Sequence, residues 1–92
     1  MKREVNIAHK NQIIGIISSE ADRFVNGDLI GLSRTESNLS LAIKINDIIR
    51  DINIKYICNS NFKRDIINEC LDACAYFGFS KSSIYYQINN LS

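Results

Sequence analysis

The chain has 92 residues, 46% of them apolar, and its 11 basic and 10 acidic side chains leave a net charge of about +1. This length is enough for one domain with one core and excludes a two-domain protein. The near-zero charge excludes a strongly cationic protein and argues against nucleic-acid binding by the chain as a whole, but not against a local binding surface. The absence of proline favours helices over a fold with many turns.

The three cysteines, Cys58, Cys70 and Cys74, are an odd number for so short a chain. The N-terminal residues do not have the pattern of a signal peptide, and no apolar run is long enough to span a bilayer. We therefore expect reduced thiols, a cytoplasmic location and no membrane association. A zinc site normally has four ligands in characteristic pairs, and His9 is far from the cysteines in sequence. The sequence predicts buried thiols, no metal site and no cofactor.

The first predicted helix covers residues 5–25, where apolar residues recur at helical spacing. These residues are Ile13, Ile14, Ile17, Ala21, Phe24 and Val25. We expect the helix to stop at 26–28, with Gly27 in the left-handed conformation that commonly ends helices. Its broad apolar side suits either the core of a monomer or the seam of a dimer.

Residues 29–38 form a predicted connector with about one helical turn, after which Ser37 or Asn38 caps a second helix. This helix has the clearest periodicity in the chain. Its apolar residues are Leu41, Ile45, Ile48, Ile49, Ile52 and Tyr56. We predict helix to about Lys55, and the alternation of apolar and polar side chains leaves 52–57 open between helix and extended chain.

Two further helices complete a predicted all-α fold, a small bundle of about four helices ending in a helix-turn-helix. The third covers about 62–77, with Phe62, Ile66, Ile67, Cys70, Leu71, Cys74 and Phe77 as buried residues. Ser80 caps the fourth, and its inward residues are Ile84, Ile88 and Leu91. The chain is predicted as a single domain, with 1–60 as scaffold or dimerisation helices and 61–92 as a helix-turn-helix-like pair.

The junction between the last two helices contains the residue types that a tight turn requires. Cys74 is small enough for the point where the helices come closest, and Gly78 can adopt a positive φ angle. Residues 72–88 have the sequence D-A-C-A-Y-F-G-F-S-K-S-S-I-Y-Y-Q-I. This pattern resembles the C-terminal helix-turn-helix of the Fis family and related enhancer-binding activators, whose consensus is approximately E-A-A-x-x-L-G-I-S-R-S-T-L-Y-x-K-L. The resemblance covers about the last quarter of the chain.

The resemblance implies that the exposed face of the last helix enters the major groove of DNA. The predicted DNA- or partner-binding residues are Ser80, Lys81, Ser82, Ser83, Tyr85, Tyr86 and Asn89. Hydroxyl and amide groups can bond base edges or phosphates, and a lysine can neutralise a phosphate. The family has a run of Arg and Lys in the recognition helix, whereas the recognition helix of this chain has Tyr85, Tyr86, Gln87, Asn89 and Asn90. The nearest additional cations in sequence are Lys63 and Arg64, which Glu69 and Asp72 offset.

Two functional hypotheses follow. The resemblance implies a small bacterial or phage transcription regulator or nucleoid-type protein, acting as a homodimer with its motifs in successive major grooves. The alternative is a helical protein-interaction module without a DNA role, such as an immunity protein, a chaperone or a phage-encoded inhibitor. We expect no enzymatic activity, because the sequence has no phosphate-binding glycine loop or nucleophile motif, and Asp47 and Asp51 lie opposite an apolar stripe.

Overall fold

The computed structural model describes residues 3–27 and 31–91, and four helices make up most of them. The helices are α1 (Ile7–Asn26), α2 (Arg34–Lys55), α3 (Ser60–Tyr76) and α4 (Lys81–Leu91). Two short strands, β1 (Arg3–Glu4) and β2 (Tyr56–Ile57), precede α1 and α3. The predicted all-α fold of about four helices is confirmed.

The two strands pair in parallel, with Arg3 opposite Tyr56 and Glu4 opposite Ile57. The Val5 N–H extends the pairing by donating to the Ile57 carbonyl at 3.0 Å. The segment that the sequence left open is therefore helical up to Lys55 and extended at the next two residues. Because each strand leads within a few residues into a helix, α1 and α3 begin at the same end of the molecule.

The helices pack in an order that differs from their order along the chain. The most extensive helix contacts join α1 to α3 and α2 to α4, whereas α1 and α2 contact each other less. Lys10 near the start of α1 pairs with Glu69 of α3, and Phe24 near the end of α1 meets Phe79 after α3. Helices α1 and α3 therefore lie side by side and run in the same direction.

The beginning of α2 differs from the prediction. The helix begins at Arg34, and Ser33 is its N-cap, so the prediction of Ser37 or Asn38 as the cap was wrong. The Ser33 hydroxyl accepts the Glu36 N–H at 3.1 Å, and the Glu36 carboxylate accepts the Ser33 N–H at 3.4 Å. This reciprocal capping box satisfies two amides that have no partner within the helix. Ser37 is a buried residue of the first turns of α2.

Helix α1 ends at Asn26, close to the predicted position, but the conformation of its C-cap residue differs from the prediction. Gly27 has φ −125° and ψ −144°, so the predicted left-handed conformation is wrong. Its N–H donates to the Arg23 carbonyl at 3.1 Å, which satisfies that carbonyl without a positive φ. The first part of the predicted connector, residues 29 and 30, lies outside the described residues.

The core draws on all four helices. Its buried hydrophobic residues are Ile13, Ile17, Ala21, Phe24, Leu41, Ala42, Ile45, Ile52, Ile66, Cys70, Leu71, Cys74, Phe79, Ile84 and Ile88. Val25 and Leu91, which were predicted to face inward, are exposed by 39% and 36%. Phe62, Ile67 and Phe77 are only half-buried. Periodicity predicts the side of a helix that packs, but not how far along the helix its neighbour extends.

Candidate nucleic-acid interface

The turn between α3 and α4 is a Schellman motif. The Phe79 N–H donates to the Cys74 carbonyl at 3.2 Å, and the Gly78 N–H donates to the Ala75 carbonyl at 2.9 Å. Gly78 has φ +94°, as its place in the predicted turn requires. A Cβ atom at this position would lie 3.8 Å from the nearest side-chain atom, a guanidinium nitrogen of Arg34. The requirement for glycine therefore comes from the backbone conformation and not from lack of space.

Buried side chains hold the two helices of the motif together. Cys74 and Ile84 are fully buried, and Phe79 is nearly so. The Phe79 ring meets Phe24 of α1 edge to face, with 6.4 Å between ring centroids. Helix α4 packs more extensively on α2 than on α3. The position of the predicted recognition helix therefore depends on α2 as well as on its partner within the motif.

All seven predicted site residues lie on the exposed surface around α4. Ser80 is the N-cap of the helix, since its hydroxyl accepts the Ser83 N–H at 3.3 Å and the Ile84 N–H reaches its carbonyl at 3.1 Å. The Ser80 hydroxyl also lies 3.2 Å from that of Ser82. Ser80 therefore stabilises the start of α4. The other six predicted site residues form the exposed face of the helix.

Two clefts border the exposed face of α4. One, of about 420 Å³, lies between α4 and α3 and is lined by Leu71, Lys81, Ser82, Tyr85, Tyr86 and Asn89. The other, of about 320 Å³, lies between α4 and the beginning of α2 and is lined by Thr35, Asn38, Ser82, Ser83, Tyr86 and Gln87. Six predicted site residues therefore share two adjoining surfaces, one largely apolar and one largely polar.

The charge on this face is low. Lys81 is the one cationic side chain of α4, and its Nζ lies 2.7 Å from Oδ1 of Asp72 on α3. Both partners are exposed, and such pairs contribute at most about 1 kcal/mol, so a phosphate can compete with the carboxylate. Tyr85 and Tyr86 are 47% and 64% exposed and account for much of the remaining surface.

A further cation beside the turn is Arg34, which is not among the site residues predicted from the sequence. Its guanidinium lies over the Phe79 ring, 4.7 Å from the ring centroid. Lys63 and Arg64, the nearest cations in sequence, belong to the first turns of α3, roughly 20 Å along the helix from the turn. The one local signal for Arg34 was the capping pattern that starts at Ser33 and places the arginine at the beginning of a helix.

The cysteines lie in surroundings that suppress their ionisation. Burial, together with the nearby Cys74 and Glu69, raises the pKa of the Cys70 thiol to about 12. Burial also raises the pKa of Cys74 to about 11. The pKa of half-buried Cys58 is raised by burial and lowered in part by Lys63. Across residues 3–27 and 31–91, no group of three or more histidine, cysteine or acidic side chains is arranged to hold a metal ion.

A third cleft, of about 330 Å³, lies between the start of α1 and the end of α2. His9 and Tyr56 meet there with 4.6 Å between ring centroids. Nδ1 of His9 accepts the Asn6 N–H at 3.2 Å, and the Asn6 side chain accepts the His9 N–H at 3.0 Å. His9 is therefore part of the cap at the start of α1.

Comparisons with protein-family models, with curated proteins and with solved structures found no match to this chain. Along the described part of the chain, the helices are too short or too polar to cross a lipid bilayer.

Proposed function

We propose that this chain is a small cytoplasmic DNA-binding regulator in which α3 and α4 act as a helix-turn-helix. The observation that carries the proposal is the Schellman turn at Gly78, followed by the Ser80 cap, which leaves the outer face of α4 exposed. A tight turn with an exposed second helix is the arrangement by which helix-turn-helix proteins reach base edges. The resemblance to the Fis family adds bacterial or phage transcription regulation to the proposal.

The dimensions and chemistry of α4 suit the major groove. Its 11 residues span about 16 Å, and the groove is about 12 Å wide. The Asn89 amide and the Tyr85 and Tyr86 hydroxyls can exchange hydrogen bonds with base edges or phosphates. Lys81 neutralises a phosphate once it leaves Asp72, which makes binding dependent on salt.

Fluorescence anisotropy of a labelled mixed-sequence duplex tests this proposal at low and at physiological salt. We expect binding that weakens steeply as salt rises, because phosphate contacts release counterions. Lys81→Ala should weaken binding and make its salt dependence shallower, whereas Lys44→Ala, on an exposed part of α2, should not. Asp72→Asn should strengthen binding, since it frees Lys81 and removes a negative charge facing the phosphates. Absence of binding by the wild-type protein at low salt would contradict the proposal.

The proposed regulator acts as a homodimer, so that two copies of α4 occupy successive major grooves. Exposed apolar side chains on the scaffold helices, Ile16 on α1 and Ile43 on α2, support this part of the proposal. Sedimentation equilibrium over the concentrations that bind DNA tests it. If the protein binds DNA but is monomeric both without DNA and in the complex, the dimer is contradicted and the DNA-binding proposal is not.

A second candidate function, binding of another protein, is favoured by the aromatic side chains at the same end of the molecule. Tyr76, Tyr85 and Tyr86 are all exposed, and tyrosine is enriched at protein interfaces, whereas lysine is depleted. An immunity protein, a chaperone or a phage-encoded inhibitor would use such a surface. Affinity capture with a Tyr85→Ala/Tyr86→Ala variant as the matched control tests this function. A partner retained equally by both proteins would contradict the tyrosine surface as its binding site, and absence of any retained protein would contradict the function.

A further inference from the structure

Arg34 occupies a fixed position beside the turn of the motif, although it is far from the turn in sequence. It is the first residue of α2, and its guanidinium carbon lies 4.7 Å from the Phe79 ring centroid. Phe79 is a core residue, so its ring provides a rigid surface for the guanidinium. Stacking of this kind orients the planar group and leaves its N–H donors directed outward.

The charge of Arg34 is not neutralised by a carboxylate within 4 Å among residues 3–27 and 31–91. The ion pairs of these residues are Lys10–Glu69, Arg23–Glu20, Lys55–Asp51 and Lys81–Asp72. A cation in the first turn of a helix is also unfavourable, because it lies at the positive end of the helix dipole. Arg34 is therefore an exposed cation held at a position that the helix dipole disfavours. Such a conflict with a local preference is typical of a functional position.

Phosphate is the ligand that this position suits. The guanidinium presents a planar fork of N–H donors that matches the geometry of a phosphate group. Arg34 begins the helix that borders the polar cleft, where Thr35, Ser82 and Ser83 supply hydroxyl groups. Lys81 borders the cleft on the α3 side. Arg34 itself lies beside Gly78 and Phe79, directly before the residue Thr35 that lines the polar cleft, so both cations lie near the beginning of α4.

We propose that Arg34 binds a DNA phosphate beside the major groove that α4 occupies, so that the DNA interface extends onto α2. This inference rests on the proposed DNA-binding function. It supplies a cation for a recognition helix that contains only Lys81. The position of Phe79 sets the position of this contact, because its ring holds the guanidinium next to Gly78.

Duplex binding measured by anisotropy over a range of salt concentrations tests the role of Arg34. Arg34→Gln removes the charge, and Arg50→Gln is the matched control, since Arg50 is also exposed on α2 but lies roughly 24 Å further along the helix. We expect Arg34→Gln to weaken binding several-fold and to reduce the slope of log K against log salt by about 0.9 per subunit. Arg34→Lys, which retains the charge, should keep the slope and lose part of the affinity.

The outcomes distinguish this inference from the function on which it rests. Equal affinities and slopes for Arg34→Gln and Arg50→Gln, with a wild-type protein that binds DNA, would overturn the role of Arg34 and leave the proposed function standing. A wild-type protein that does not bind DNA even at low salt would overturn both. Thermal unfolding of each variant separates a phosphate contact from a structural role. A structural role alone would lower the melting temperature of Arg34→Gln without changing the slope.

Discussion

The backbone conformation requires glycine at position 78 but not at position 15. Gly78 has φ +94°, whereas Gly15 lies within α1, where an added Cβ would meet nothing within 4 Å. Gly78→Val should therefore lower the free energy of unfolding by more than about 1 kcal/mol, because a β-branched residue resists a positive φ. Gly15→Ala should raise it by about 0.5 to 1 kcal/mol. Urea denaturation measures both changes, and a neutral Gly78→Val would contradict the positive φ.

The thiols predict how stability changes at alkaline pH. Folding raises the pKa of Cys70 from 9.0 to about 12 and that of Cys74 from 9.0 to about 11. Because the unfolded chain loses these protons first, the thiols favour folding fully below pH 9 and progressively less above it. We expect the free energy of unfolding to fall above pH 9, and to fall less in a Cys70→Ala/Cys74→Ala variant. Cys58→Ala should have a smaller effect, because the pKa of this half-buried thiol is raised by burial but lowered in part by Lys63, and identical pH profiles for all the proteins would contradict the prediction.

The three cysteines should differ in their accessibility to thiol reagents. Cys58 is half-buried, whereas Cys70 and Cys74 are buried in the core. In the native protein we expect an alkylating reagent to modify Cys58 much faster than the other two, because the thiolate is the reactive form and burial suppresses it. Mass spectrometry of the labelled protein measures the order of reaction. Equal rates in the absence of denaturant would contradict the burial of the pair.

At the scale of the element, the caps decide where the helices begin. Ser33 and Glu36 form a reciprocal cap at the start of α2. We expect Ser33→Ala to lower the free energy of unfolding by about 1 kcal/mol, because an amide at the helix start loses its acceptor. Ser19→Ala, at an exposed interior position of α1, should have little effect. Denaturation curves compare the two variants, and equal effects would place the start of α2 elsewhere.

The two helix starts also show why one cap was predicted and the other was not. Ser80 stands directly after a turn glycine and before a clear apolar repeat, so the local pattern identifies it. Ser33 has the matching Glu36 three residues later, but the first turn of α2 buries Ser37 in place of an apolar residue. Without a hydrophobic repeat the segment resembled a connector. In this segment, only the capping residues Ser33 and Glu36 indicated where the helix begins.

At the scale of the molecule, α4 is stabilised by a helix that is distant in sequence. Ile84 is fully buried, and α4 packs mainly on α2. We expect Ile84→Ala to cost about 2 to 5 kcal/mol and to destabilise the whole domain in one transition. Tyr86→Ala, at an exposed position, should change stability by no more than about 0.5 kcal/mol. Calorimetry measures both, and separate unfolding of α4 would contradict this packing.

Local patterns in the sequence were enough to predict the features that depend on residues a few positions apart. Helical periodicity, the tight turn at Gly78 and the Ser80 cap follow from backbone geometry and hydrogen bonds within one or two turns of the chain. The folded chain was needed to show which helices pack together, that Tyr56 pairs with Arg3, and that Arg34 lies over Phe79. These contacts join residues that are tens of positions apart in the sequence. They depend on how the whole core packs, and no local pattern specifies that packing.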